Sequence, residues 1–197
     1  FTVAIARDPA FNFMYEANIR YLHHLGEVTY FSPLADTSLP DAGFVYLPGG
    51  YPELYLAALS ANRLMLQSIR RYVENGGKLL AECGGMMYLC DEIRDKNGDV
   101  YPMAGVLHQS ATMENMKLRL GYRTLLYNDA RLKGHEFHYS RLVEQQDPLP
   151  SCAVAYTAKG VETDTPLYHY KNVWAGYTHL YWADPAGNDW FTKFIIK

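Results

Sequence analysis

The residue types and spacing best suited to covalent chemistry in this chain are a thiol on a bend and a late histidine. Cys83 lies in Ala81-Glu82-Cys83-Gly84-Gly85-Met86-Met87-Tyr88-Leu89. The apolar run 79–81 before it reads as a strand, and the pattern from Met86 to about Asp91 reads as a helix. A strand that passes into a helix through small residues turns sharply, so the side chain at the apex stands clear of the backbone. The small outer positions here are Ala81 and Gly85. A thiol at a helix N-terminus sees the positive end of the peptide dipoles, so the spacing predicts an easily ionised Cys83. The N–H of Gly84 would point to where an oxyanion forms. The bland alternative is a buried structural cysteine after a core strand.

A thiol nucleophile needs a base within hydrogen-bond reach, most often histidine. The chain has His23, His24, His108, His135, His138, His169 and His179. His23 and His24 fall on the first helical stretch, away from strand ends, and His169 falls in a hairpin. His135 and His138 stand three apart in Gly134-His135-Glu136-Phe137-His138-Tyr139-Ser140, which is not the His-Glu-x-x-His zinc pattern. That segment reads as a loop-bounded piece that shapes the mouth of a site. His179 follows the strand-like run 173–177 at its carboxyl end, the side on which parallel sheets present ligands. It is the expected partner of Cys83.

The elements that must position these groups follow from periodicity. Runs 1–6, 28–31, 44–47 and 79–81 read as strands, alternating with helical patterns over 13–25, 53–60 and 62–74, the last capped by Asn62. This rhythm predicts an α/β domain with a mostly parallel sheet and helices on both faces. Pro48-Gly49-Gly50 follows the 44–47 strand and would face Cys83 across successive strand ends. The second half changes texture. Residues 116–126 alternate, with Leu118, Leu120, Tyr122 and Thr124 on one side, and hairpins are expected around Lys159-Gly160 and Lys171-Asn172. An additional antiparallel region therefore occupies the C-terminal half. A helix over 188–196, with Trp190, Phe191, Phe194 and Ile195 inward, closes the chain.

Composition bounds the function. A chain of 197 residues, 49% hydrophobic and 20% charged, is one ordinary globular domain. A net charge of −3 gives no electrostatic case for nucleic acid or an anionic membrane. No apolar run reaches membrane-spanning length. Three cysteines, Cys83, Cys90 and Cys152, without metal-ligand spacing fit a reduced cytoplasmic protein. No phosphate-binding Gly-x-x-x-x-Gly-Lys-Ser/Thr loop is present. The chain opens inside a strand-like run, so a piece of a longer polypeptide is expected.

Five segments in order carry a family resemblance: Val3-Ala-Ile-Ala-Arg-Asp8 with Phe11-Asn-Phe13, Phe31-Ser-Pro-Leu34, Leu47-Pro-Gly-Gly-Tyr-Pro-Glu-Leu54, Ala81-Glu-Cys-Gly-Gly-Met-Met-Tyr-Leu89 and Gly134-His-Glu-Phe-His-Tyr-Ser140. Together they resemble the glutamine amidotransferase domain of cobyrinate a,c-diamide synthases, in the cobalamin-pathway branch of the class I, triad-type amidotransferases. The resemblance implies a flavodoxin-like core and glutamine hydrolysis at Cys83 with His179 as base. It further implies an oxyanion hole from the N–H groups of Gly50 and Gly84. Lys117 and Arg119 are the candidate cations for the glutamine α-carboxylate, or else solvated strand charges. Residues 1–197 would be the glutaminase domain, needing no cofactor itself. It would feed ammonia to an N-terminal synthetase domain that uses ATP and Mg and binds the tetrapyrrole acceptor. His179-Leu180-Tyr181 departs from the family's His-x-His and from the His-x-Glu of other triad enzymes. The carboxylate behind His179 is thus open between Asp184, Glu136 and a residue of the further domain. Three rivals remain: the same chemistry on another tetrapyrrole such as nickel-sirohydrochlorin, a cysteine hydrolase or stress protein of the same fold, and a non-catalytic docking domain.

Overall fold

The computed structural model describes residues 1–196 apart from the side chains of 194 and 196. Strand β1 (Thr2–Ala6) leads to helix α1 (Glu16–Leu25), β2 (Glu27–Phe31) and β3 (Phe44–Leu47). Helices α2 (Leu56–Ala61) and α3 (Arg63–Glu74) precede β4 (Lys78–Glu82) and α4 (Gly84–Leu89). Short strands β5 (Glu92–Arg94), β6 (Val100–Pro102) and β7 (Ser110–Thr112) follow, then the long pair β8 (Arg119–Tyr127) and β9 (Ala130–His138). The chain continues through β10 (Arg141–Leu142), β11 (Val154–Thr157), β12 (Glu162–Thr163), β13 (Leu167–Tyr170) and β14 (Val173–Gly176). It ends with β15 (His179–Tyr181), α5 (Pro185–Trp190) and a π-helical turn, Phe191–Ile196.

The main sheet has the order β13-β14-β4-β3-β1-β2, parallel throughout except for the edge strand β13. From β2 to β14 this is the doubly wound, flavodoxin-like order. Its two faces carry separate cores, as the two-residue period of a strand requires. Ala4, Ala6, Val45, Leu47, Leu79 and Ala81 face the α2–α4 side. Val3, Ile5, Phe44, Tyr46 and Leu80 face α1, Trp190 and Phe191. A second, antiparallel sheet, β12-β11-β8-β9-β15, adds Leu125, Leu132 and Leu180 to that second core. A small mixed sheet, β10-β7-β5-β6, fills the region after α4.

Element boundaries moved where tertiary bonds intervened. The helix expected over 13–25 starts only at Glu16, because Phe13 N donates to Gly49 O at 3.0 Å and holds that residue extended. The 53–60 helix divides into a 3-10 turn, Pro52–Leu54, and α2. Asn62 caps α3 through Met65 N at 3.4 Å, as its type suggested. The closing helix begins at Pro185 rather than 188, since Asp184 Oδ1 accepts from Gly187 N at 2.8 Å. Trp190, Phe191 and Ile195 are buried there; Phe194 lies outside the described side chains. The 134–140 segment, expected to be bounded by loops, is mostly strand β9, paired with β8 along its whole length.

Candidate active site

Sheet order assembles the site. The strands β14, β4 and β3 are neighbours and parallel, so their carboxyl ends emerge side by side. After β3 comes Pro48-Gly49-Gly50, after β4 comes Cys83, and after β14 come Tyr177, Thr178 and His179. Cys83 N donates to Gly176 O at 2.8 Å, tying the elbow to the strand that delivers His179.

Cys83 adopts φ 49° and ψ −107°, a conformation that costs a non-glycine residue about 1–3 kcal/mol. Its neighbours must be small for a steric reason. A Cβ on Gly85 would stand 2.1 Å from Leu47 O, and one on Gly84 would stand 2.7 Å from Pro52 Cδ and 3.2 Å from Gly50 O. Gly50 is in turn pressed on the 8–13 segment, where a Cβ would meet Ala10 O at 2.1 Å. The glycine loop after β3 therefore lies against the elbow, so close that only glycine fits at 84 and 85.

Two cavities meet at Cys83. One, of about 340 Å³, is lined by Phe13, Gly50, Tyr51, Cys83, Leu120, His135, Phe137 and His179. The other, about 10 Å³, is nearly closed by Glu53, Met87, Phe137, His138, Tyr139 and Ser140. The thiol is within reach of Phe137 O, at 3.9 Å from Sγ. His135, paired with His179 across β9 and β15, stacks on it at 4.9 Å with 15° between the rings. His138 stacks on Tyr177 at 3.8 Å and lies within hydrogen-bond distance of Ser140 O, 2.9 Å from Nδ1. Both histidines of the 134–140 segment thus belong to the site wall rather than to a loop outside it. Phe13, Glu53 and Met87 also line the site and were not singled out from sequence. Met87 stands one helical turn after Cys83 on α4, Glu53 three residues after Gly50, and Phe13 is drawn in by its hydrogen bond to Gly49 O. The spacing within the 81–89 and 47–54 segments was therefore the signal for the first two.

Electrostatics corrects one expectation. The Cys83 thiol is pushed up to about 12, first by burial and then by Glu53, with Gly84 N–H favouring the thiolate too weakly to reverse this. The six-residue helix α4 does not overcome the loss of water. His179 is lowered to about 3, first by burial and then by His135 and His138. The resting pair is accordingly a neutral thiol and a neutral imidazole.

The cations do not gather at the thiol. Arg119 binds Asp164 through both terminal nitrogens, at 2.5 and 2.9 Å. It faces a neighbouring cavity of about 320 Å³ with Glu136, His138 and Tyr177. Lys117 is exposed, and neither residue lines the two cavities that contain Cys83. Alternation along β8 puts Leu120, and not Arg119, on the wall of the Cys83 cavity, and Lys117 precedes the strand.

Residues 2–187 match the family described as the CobB/CobQ-like glutamine amidotransferase domain. A hydrogenobyrinate a,c-diamide synthase of Pseudomonas aeruginosa is 39% identical, covering 91% of this chain and 41% of that protein. A cobyrinate a,c-diamide synthase of Fusobacterium nucleatum is 41% identical over the same shares of the two chains. The chain thus spans about two-fifths of the length of these relatives. Among solved structures, one described as a glutamine amidotransferase superposes with a TM-score of 0.62 at 16% identity, covering 99% of both chains. PurLQS from Thermotoga maritima gives 0.59 at 16%, over 90% of this chain and 86% of that one. These distant likenesses concern the fold alone. With an elbow cysteine, the 3–8, 31–34, 47–54 and 134–140 segments and a family match over residues 2–187, the chain belongs to the CobB/CobQ-like glutamine amidotransferase domain family.

Proposed function

We propose that this chain hydrolyses glutamine at Cys83 and delivers the ammonia to a synthetase portion that amidates the a and c carboxylates of cobyrinate or hydrogenobyrinate. The observation that carries the reading is the strained Cys83 elbow, whose thiol shares one cavity with His179 and Gly50. The names of the relatives favour a cobyrinate-type acceptor over nickel-sirohydrochlorin, and their greater length leaves room for the synthetase, where ATP and Mg would act. No helix among the described residues is long and apolar enough to cross a membrane.

The chemistry follows from a neutral pair. Glutamine enters with its side-chain amide at Cys83. The thiol passes its proton to the His179 ring as sulfur bonds to the amide carbon and the carbonyl electrons move to oxygen. The N–H groups of Gly50 and Gly84 stabilise that oxyanion; losing one such donor costs about 10²–10³ in rate. The imidazolium protonates the departing nitrogen, the C–N bond breaks, ammonia leaves and a thioester remains. Water then gives a proton to His179 while its oxygen attacks the thioester carbon. The proton returns to sulfur as glutamate departs. A thiol pushed up to about 12 is not a standing thiolate, so proton transfer must accompany attack.

Glutamate release and labelling by a diazo-ketone analogue of glutamine test the reading together. Cys83→Ser should lower turnover by about 10⁴-fold or more and abolish labelling. Cys90→Ser should change neither, because Cys90 is fully buried with its thiol on Met86 O at 3.6 Å. Label on Cys90 or Cys152, or full turnover without Cys83, would sink the proposal.

A further inference from the structure

A base histidine in a triad is held by a carboxylate on its far nitrogen. Here the carboxylates near His179 are engaged elsewhere. Asp184 caps α5 and lies 3.4 Å from Lys133 Nζ. Glu136 pairs with Arg123 at 2.7 Å. Glu82 accepts from Tyr46 Oη at 2.6 Å and from Leu180 N at 3.1 Å. His179 Nδ1 is buried and has no hydrogen-bond partner among the described residues.

The ring does have close neighbours around it. Phe13 meets it edge to face at 4.5 Å and 68°. His135 lies nearly parallel at 4.9 Å. Gly49 presents bare backbone, and a Cβ there would fall 2.1 Å from His179 Cε1. His135 is itself fixed: its Nδ1 is 2.5 Å from Tyr15 Oη, and Phe13 packs on it at 5.3 Å.

The geometry points to a base oriented by ring packing instead of a carboxylate, with His135 as the positioning residue whose face sets the plane of His179. The inference rests on the reading of His179 as the glutaminase base. A neutral imidazole needs no counter-ion until it takes the thiol proton, so packing suffices in the resting state. Once protonated, the ring meets no carboxylate in hydrogen bond among the described residues, and burial, with His135 and His138 after it, disfavours the charge. The proton is therefore passed on to the leaving nitrogen instead of being retained.

The test compares His135→Phe, which keeps a flat ring, with His135→Ala, which does not, and with Gly49→Ala, which pushes on His179 directly. Each variant is assayed for melting temperature, kcat and KM for glutamine, and the rate of Cys83 labelling. Misplacing a reacting group by about 1 Å costs on the order of 10² in rate. His135→Ala and Gly49→Ala should therefore lose about 10²-fold in kcat, with KM changed by less than about twofold. His135→Phe should stay within about threefold of the parent. Near-parent kcat in His135→Ala overturns the inference. So does a kcat for His135→Phe as low as that of His135→Ala when both melt cooperatively, since the ring nitrogen would then matter more than its face. Restoration of His135→Ala by an added synthetase portion also overturns it, by assigning the task to a group outside this chain. His135→Phe alone decides if His135→Ala fails to fold. A parent chain that neither releases glutamate nor labels at Cys83 refutes the glutaminase reading itself, a different outcome from any of these.

Discussion

Glu82 stands one residue before the thiol and carries a carboxyl whose charged form burial disfavours. It is 2% exposed, and its pKa is raised from 4.5 to about 7, chiefly by burial, although Tyr46 and Leu180 N stabilise the carboxylate in part. The folded state therefore holds a proton that the unfolded state releases between about pH 4.5 and 7. The stabilisation is fully present below the unfolded value and is lost as pH rises through the folded one. The window is worth about 3 kcal/mol. His179 acts in the opposite sense, because a base lowered to about 3 loses stability as pH falls below its ordinary range. Subtracting a variant from the parent separates the two. Glu82→Gln keeps a buried amide between Tyr46 and Leu180 N and cannot ionise. Its melting temperature should fall less than the parent's from pH 5 to pH 8, so the difference grows with pH. Parallel curves across that range would show that Glu82 stays ionised throughout.

At the scale of elements, the contact between α4 and the end of β3 decides whether the elbow exists. Gly85→Ala places a methyl 2.1 Å from Leu47 O and 2.9 Å from Leu47 Cβ, both held by the sheet. Gly160→Ala, by contrast, meets nothing within 4 Å and carries only the strain of φ 75°. Urea unfolding should show a loss on the order of 2–4 kcal/mol for the first and about 1 kcal/mol for the second. Equal losses would mean that α4 is not seated on β3. This same contact explains what was legible in the sequence. Gly84 and Gly85 announce the bend because each answers a local crowding, and the strands β1, β3 and β4 announce themselves by apolar runs. The place of His135 was not legible, because it depends on β9 pairing with β15, with five strands between them in the chain, and not on the pattern within 134–140. The ionisation of Cys83 was misjudged for a related reason. Burial by Phe137, Glu53 and His138 comes from remote segments, whereas the helix dipole is visible locally.

The whole molecule leaves apolar side chains exposed around the mouth of the Cys83 cavity. Phe13, Tyr51, Leu120 and Phe137 line the cavity and are between 38% and 61% exposed. Tyr122, on the same face of β8 as Leu120, is 74% exposed. Contiguous exposed apolar surface of this kind marks an interaction site. On the proposed reading, the synthetase portion seats on this rim and receives ammonia before it reaches water. The neutral resting pair suits such coupling, since neither the buried thiol nor the buried imidazole carries a charge before substrate enters. The chain alone should then turn over glutamine slowly, and joining it to the synthetase portion of a relative should raise kcat. Tyr122→Asp tests the surface, because the residue lies outside both Cys83 cavities and is too exposed to matter for folding. The variant should keep the basal rate and the labelling of Cys83 while losing the stimulation by about tenfold or more, the cost of a charge buried without a partner at an interface. Full stimulation of Tyr122→Asp would move the docking surface elsewhere, and a chain that works as fast alone as when joined would remove the coupling altogether.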